Sequence, residues 1–332
     1  MATTDTPTAP AKAADRPRGL RYFPIALFAS AMGFSGTTIA AMRIEPLLGL
    51  PPAFSLLLLK LTSLLFIVQI FILLYRVFAY PEEVRRDFDH PVRMNFFGAV
   101  SISFMLLAVA YLDVAPSVAA ILWWIGAPLH LLITLAVLRK LIVQSRFEIV
   151  HYNPAWFIPI VGNLIAPIAG VAVAPPDVNW FFFSIGLVMS VVYIPMFFYR
   201  IYFHNPIPLK LLPTFFILMA PPAVGLVSYV KLTGQFDGFA RVLYGFAFFI
   251  GLLLVVLFPM FYRVPFFLSW WAYIFPSAAI TIATVLMYHE TSIEAYRYLA
   301  YVQMIALLLL IVDFSRRTLG LMARRELCVQ ED

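Results

Sequence analysis

The side chains best suited to chemistry are few in this chain, and they are scattered. Its five histidines (His90, His130, His151, His204 and His289) never fall at the i, i+4 spacing of a helical metal pair. The single cysteine, Cys328, can form neither an internal disulfide nor a Cys/His cluster. No metal and no cofactor is therefore expected. A glycine-rich phosphate loop is absent, so nothing points to ATP-driven transport. Within the apolar runs there are no acidic or histidine pairs at i, i+3 or i+4, which argues against an enzyme. Asp313 stands only at the end of the last run, whereas a proton-coupled carrier needs buried ionisable chains.

Three polar groups do interrupt apolar runs. Lys60 is an intramembrane charge, which is a functional suspect by default. The stronger reading is structural: on an outer helix the lysine can snorkel toward the outer interface, or pair with Glu45. His130 and Asn163 are single polar groups of the kind a neighbouring helix satisfies. His130 reads as structural, and Asn163 as structural or pore-lining.

Composition shows what positions these residues. Hydrophobic residues make up 63% of the 332 and charged residues 12%. Soluble domains carry about twice that share of charge, so lipid is the solvent that suits this chain. Ten apolar runs are each long enough to cross a bilayer. They lie near 20–41, 53–79, 94–112, 115–138, 154–174, 178–203, 209–230, 239–262, 266–287 and 293–315. Residues 1–19 read as a disordered tail, 20–315 as the membrane domain and 316–332 as a second tail. With both termini in the cytoplasm, 18 of the 23 Lys and Arg fall on the inner side. Only Arg43, Lys231, Arg241 and Arg297 fall outside. Basic pairs such as Arg85-Arg86 and Arg316-Arg317 then read as topology signals and lipid contacts, and no nucleic-acid partner is expected.

The odd-numbered runs share an opening. Pro24, Pro91, Pro154, Pro213 and Pro265 each precede or accompany aromatic residues, at intervals of 67, 63, 59 and 52 residues. The chain thus reads as five helical hairpins repeated in parallel. The odd runs also hold most of the breakers: Gly33, Gly36, Pro159, Gly162, Pro167, Pro221, Pro222, Gly225 and Pro276. Interrupted helices are tolerated where they line a watery cavity. Five such helices inside five straighter ones would enclose a central path. Gly33, Gly162 and Gly225 either widen that path or allow close helix packing.

The stretches His90-Pro-Val-Arg-Met-Asn-Phe-Phe97, Asn153-Pro154 with Val161-Gly-Asn163, and Pro265-Phe-Phe-Leu-Ser-Trp-Trp-Ala-Tyr-Ile-Phe-Pro276 carry a family likeness. The chain resembles the tellurite-resistance/dicarboxylate transporter family, including the plant slow-type anion channels and bacterial TehA homologues. The resemblance implies an all-α fold of ten helices in quasi-fivefold arrangement, assembled as a homotrimer with one pore per protomer. It implies Phe275 as a pore gate. It also implies a path for small inorganic anions such as chloride and nitrate, or in a second reading a carrier of malate or tellurite-type oxyanions. A bacterial inner-membrane location is the matching expectation. Two departures stand out. The plant proteins carry long cytoplasmic tails, and their third helix has a mid-span proline where this chain reads Gly98-Ala-Val-Ser101.

Overall fold

The computed structural model describes residues 17–261 and 263–330. Among these residues, ten helices are long and apolar enough to cross a membrane. They are α1 (Ile25–Leu47), α2 (Ala53–Ala79), α3 (Arg93–Tyr111), α4 (Pro116–Val143) and α5 (Pro154–Val173). They continue as α6 (Pro176–Phe203), α7 (Leu209–Thr233), α8 (Gly238–Val256), α9 (Leu268–Thr291) and α10 (Glu294–Ala323).

Burial alternates along the chain. Of the most apolar 18 residues, 78–94% are buried in the odd helices and 28–33% in the even ones. The odd helices are therefore an inner ring and the even helices an outer one. Packing closes the inner ring in the order α1–α3–α5–α7–α9–α1. Each even helix packs on its hairpin partner and on the next odd helix, and α10 returns to α1. This cyclic pattern is the quasi-fivefold arrangement. The lipid-facing sides carry residues such as Leu64, Phe71, Val191, Val255 and Leu309, all more than half exposed.

Specific bonds fasten the outer helices to the inner ring. Gln69 Nε2 donates to Ser30 Oγ at 2.9 Å. The Trp123 indole donates to the Ala166 carbonyl at 2.7 Å, and that of Trp271 to Thr318 Oγ1 at 2.9 Å. Tyr301 donates to the Leu47 carbonyl at 3.0 Å. Such groups have no water partner inside a bilayer, so each bond also satisfies an otherwise orphaned dipole.

Local sequence explains the helix ends. The Asn153 side chain accepts the Ala155 N–H, and Asp237 accepts those of Phe239 and Ala240, so each caps a start. Before α3, His90 Nδ1 accepts the N–H groups of Val92 and Arg93. Burial, with the charges of Arg93, Lys210, His151 and Arg146, holds this imidazole down at about 4. Gly234, at φ 65°, ends α7 in the left-handed region that glycine enters without strain.

Four of the five inner helices begin as 3₁₀ turns and then become α-helical. The junctions fall at Phe28, Ile158, Ala220 and Ile274. Proline sits in the first α turn at three of them: Pro159, Pro221 with Pro222, and Pro276. Proline has no N–H to donate backwards, so it is accommodated where an α-helix starts. The breakers in the sequence thus mark starts of α structure within spans. α3, which has no such proline, is α-helical throughout.

The structure departs from several boundaries expected above. α1 lies about five residues further along. α10 continues to Ala323, because Asp313 pairs with Arg316 and Arg317 one turn on and keeps those charges on the helix. A polar helix, Pro81–Asp89, joins α2 to α3 and ties Arg21 to Glu83 and Arg76 to Asp87. Residues 17–19 are ordered: Arg18 bridges Val329, and the Gly19 N–H donates to the Cys328 carbonyl at 3.0 Å. The first 16 residues of the expected tail lie outside the described residues. Lys60 is exposed on α2, and Glu45 caps α2 by accepting from Phe54 N–H, Ser55 N–H and the Ser55 hydroxyl. Of the two structural readings of Lys60, the pair with Glu45 is replaced by this cap.

Candidate functional site: the axis of the inner ring

Two cavities lie along the axis of the inner ring, and both draw walls from all five inner helices. The narrower is about 30 Å³, room for about two waters. Its walls are Ile39 of α1, Leu106 and Val109 of α3, Ile165 and Ile168 of α5, and Val224 and Val227 of α7. Phe275, Ala279 and Ile282 of α9 complete it. Every lining side chain is apolar. The wider cavity, about 160 Å³, shares Ile39, Val109, Ile168, Val227 and Ile282 and continues toward the far end of the helices, away from the termini. The five shared wall residues make the two cavities neighbours along the axis.

The walls follow a second repeat. Leu106/Val109, Ile165/Ile168, Val224/Val227 and Ala279/Ile282 are each three residues apart, so both members face the axis. The pairs recur every 55–59 residues. On α1 the wall residue is Ile39, 70 residues before Val109, and three residues before it stands Gly36, which contributes no side chain to either cavity. Where the other helices place Leu, Ile, Val or Ala, α1 has no side chain, and Phe275 occupies that space. A Cβ built on Gly36 would stand 3.1 Å from Phe275 Cδ2 and 3.0 Å from Ala278 Cβ. Phe275 is the first of the three α9 residues that line the narrow cavity and is buried. It is the second residue of the α-helical part of α9, so the 3₁₀-to-α junction and Pro276 set its height.

The other residues singled out by sequence lie elsewhere. Gly33 faces α9 and not the axis: its Cβ would stand 2.8 Å from Ile274 Cβ. Gly162 faces α4, where its Cβ would fall 2.2 Å from His130 Cε1. These two contacts are close helix packing. Gly225 meets only ordinary contacts of 3.8–3.9 Å and lines neither cavity. Pro221 and Pro276 are buried at the α starts already described.

His130 is fully buried. Its Nε2 donates to the Pro159 carbonyl at 3.0 Å, and its Nδ1 lies 2.8 Å from Ser101 Oγ. Thr134 Oγ1 and Asn163 Nδ2 donate to the same Pro159 carbonyl at 2.7 and 3.0 Å. The network joins α3, α4 and α5 at the start of the α-helical part of α5. Asn163 belongs to it, and neither Asn163 nor His130 lines the cavities. Among the described residues no group of three His, Cys, Asp or Glu could hold a metal ion.

Gly36 was not legible as a site residue from its type, since glycine is common in membrane helices. The signal that could have found it is the three-residue spacing of the wall pairs: Gly36 stands three residues before Ile39, the place that Leu106, Ile165 and Val224 hold before Val109, Ile168 and Val227. A direct consequence follows. In a Phe275→Ala background, Gly36→Leu should restore the missing side chain and reduce anion flux on the order of tenfold, equivalent to about 1.4 kcal/mol of barrier. Flux per folded protein in liposomes checks it. Equal flux with and without the leucine would show that this position does not face the path.

Comparison with known proteins agrees with this architecture. A family profile described as a voltage-dependent anion channel, SLAC1, matches residues 22–319. The S-type anion channel SLAH3 of Arabidopsis thaliana is 30% identical over 80% of this chain and 43% of its own length. The tellurite resistance protein TehA homolog of Haemophilus influenzae is 25% identical over 88% of this chain and 90% of its own. An uncharacterized transporter of Methanocaldococcus jannaschii is 24% identical over 85% of this chain and 90% of its own. The chain spans about half the length of the plant channels it matches. With that profile covering the membrane region from end to end, the chain belongs to the SLAC1 family, a multi-pass membrane family of anion channels and transporters and not of enzymes.

Proposed function

We propose that the chain is a passive channel for small monovalent anions, chloride and nitrate among them, and that Phe275 keeps its axial path closed. The observation that carries this reading is the position of Phe275 in a wall that is otherwise built from five equivalent helices and is wholly apolar. An ion entering so narrow an apolar passage must shed water without receiving a replacement ligand. The aromatic ring closes the path by denying both room and hydration.

Sign selectivity comes from the ends of the path. The inner helices all begin on the face that holds the termini, so their positive dipole ends point there. Arg93, Lys210 and Arg146 add positive potential around His90 on the same face. The excess of Lys and Arg on that face supports a cytoplasmic location for both termini, and a bacterial inner membrane is the setting we assign. The assembly we propose is a homotrimer with one path in each protomer.

Because dehydration sets the barrier, weakly hydrated anions should pass best. Replacing chloride by nitrate on one side of an opened channel should shift the reversal potential in the direction of a several-fold higher nitrate permeability. A shift that follows the cation gradient would contradict the reading. A pH-dependent flux that saturates, with no unitary currents, would instead choose a carrier of malate or tellurite-type oxyanions; the Haemophilus relative is named for tellurite resistance.

A further inference from the structure

The far mouth of the path, away from the termini, poses an electrostatic problem for any anion. α1, α3, α5, α7 and α9 all end there, at Leu47, Tyr111, Val173, Thr233 and Thr291. Each helix C-terminus carries a partial negative charge of about half an elementary charge. Five together around a low-dielectric opening would repel anions and attract cations.

The wider cavity contains an answer. Beyond its apolar wall it is lined by three basic side chains, Arg43, Lys231 and His289, from α1, α7 and α9. Arg43 lies four residues beyond the wall residue Ile39, and Lys231 four beyond Val227. His289 lies three beyond Leu286. Each sits one turn above a wall residue on the same helix face. Arg43 and Lys231 make no hydrogen bond or ion pair with any described residue, and the His289 ring meets only that of Tyr288, tilted by 51° at 5.7 Å. Nearby acids are engaged elsewhere. Glu45 caps α2, Asp237 accepts from Tyr229 and the start of α8, and Glu294 pairs with Arg297. Asp113, Asp177 and Glu290 are on this face but line neither cavity.

We propose that Arg43, Lys231 and His289 form an anion-binding site at the far mouth, which overturns the negative field of the five helix ends and loads small inorganic anions into the path. The cations are left unneutralised because their counter-ion is the permeating anion. The terminal-side mouth needs no such device, since the helix dipoles already favour anions there. The path is therefore asymmetric, with fixed dipoles at one end and exposed charges at the other. This proposal rests on the channel reading, but binding at the mouth is measurable without conduction.

The test has two arms. Chloride-35 NMR line broadening on the purified wild-type protein reads anion binding directly. Arg43→Gln with Lys231→Gln should remove most of the protein-dependent broadening. Arg316→Gln with Arg317→Gln, which alters cations already paired with Asp313, should remove little. Unchanged broadening in the Arg43/Lys231 variant overturns the proposal whatever the channel conducts. The second arm records currents from Phe275→Ala in planar bilayers. Adding Arg43→Gln and Lys231→Gln should cut anion entry from the far side about three- to tenfold in dilute salt. Entry from the terminal side should be nearly unchanged, and the difference should fade at 1 M salt, where screening reaches only about 3 Å. Arg43→Lys should restore much of the effect. A loss equal in both directions contradicts a mouth site. Lost broadening with no current from Phe275→Ala would keep the anion site and reject the channel reading.

Discussion

Phe275→Ala should turn a silent path into a constitutive anion leak, with flux raised on the order of a hundredfold if the ring contributes about 3 kcal/mol to the barrier. The reasoning is geometric. The narrow cavity already spans the space between five helices, and Phe275 is its only aromatic side chain. Truncation to alanine removes the ring, while Gly36 opposite has no side chain to take its place. The two positions together would leave one side of the wall open. Phe275→Leu should leak to an intermediate degree, because leucine fills the gap between α1 and α9 only in part. Folding should be little affected, since the ring is lost from a cavity edge and Ile274 and Ala278 keep the α1–α9 contact. Iodide or chloride efflux from proteoliposomes, normalised to folded protein, gives the answer. Equal efflux for wild type and variant would remove Phe275 from the path.

Gly162→Ala should do the opposite kind of damage and cost folded protein without opening anything. The added methyl would fall 2.2 Å from His130 Cε1 and 2.3 Å from its Nε2. His130 cannot swing aside freely, because its two ring nitrogens are held by Pro159 and Ser101. Displacing it would break its bonds to the Pro159 carbonyl and to Ser101 and leave its buried ring nitrogens without partners, in a region with no water to replace them. Overpacking alone costs about 1–3 kcal/mol, and a buried polar group left unsatisfied costs about as much again. Gly225→Ala provides the contrast. Its new methyl would meet nothing closer than 3.8 Å and should be nearly neutral. Thermal unfolding in detergent should therefore separate the two variants by many degrees. A Gly162→Ala protein as stable as wild type would mean that the α4–α5 contact is looser than described.

Much of the architecture is readable from the residues. The ten crossings follow from runs of about 20 apolar residues, and α2 over 53–79 coincides with its run because Pro51-Pro52 precede it and the polar helix Pro81–Asp89 follows it. The inner ring is foreshadowed by the breakers, since Pro159, Pro221 and Pro276 can occupy only helix starts or distortions. Other features escape for stated reasons. α1 extends to Leu47 although Arg43 and Glu45 resemble a loop, because Arg43 faces the mouth cavity and Glu45 caps the next helix. α10 runs through Arg316 and Arg317 because Asp313 pairs with both. The helix Pro81–Asp89 is too short and polar to show in an apolar pattern, and ion pairs hold it to its neighbours.

The candidate site is less legible than the fold. Phe275 is one of 32 phenylalanines, and composition does not distinguish it. Only the family resemblance draws attention to it, and only the packing places it at Gly36. Gly33 and Gly162 illustrate the reverse. Both read equally as pore or packing residues in the sequence, and the neighbours that a Cβ would meet place them at helix contacts. His130 and Asn163, likewise polar and intramembrane, turn out to share one carbonyl acceptor away from the axis.

The most direct test of the central claim is a recording of purified Phe275→Ala in a planar bilayer under a potassium chloride gradient. The account predicts discrete unitary currents that reverse near the chloride equilibrium potential, with wild type silent under the same conditions. Currents that reverse near the potassium potential, or chloride transport without unitary steps, would contradict it.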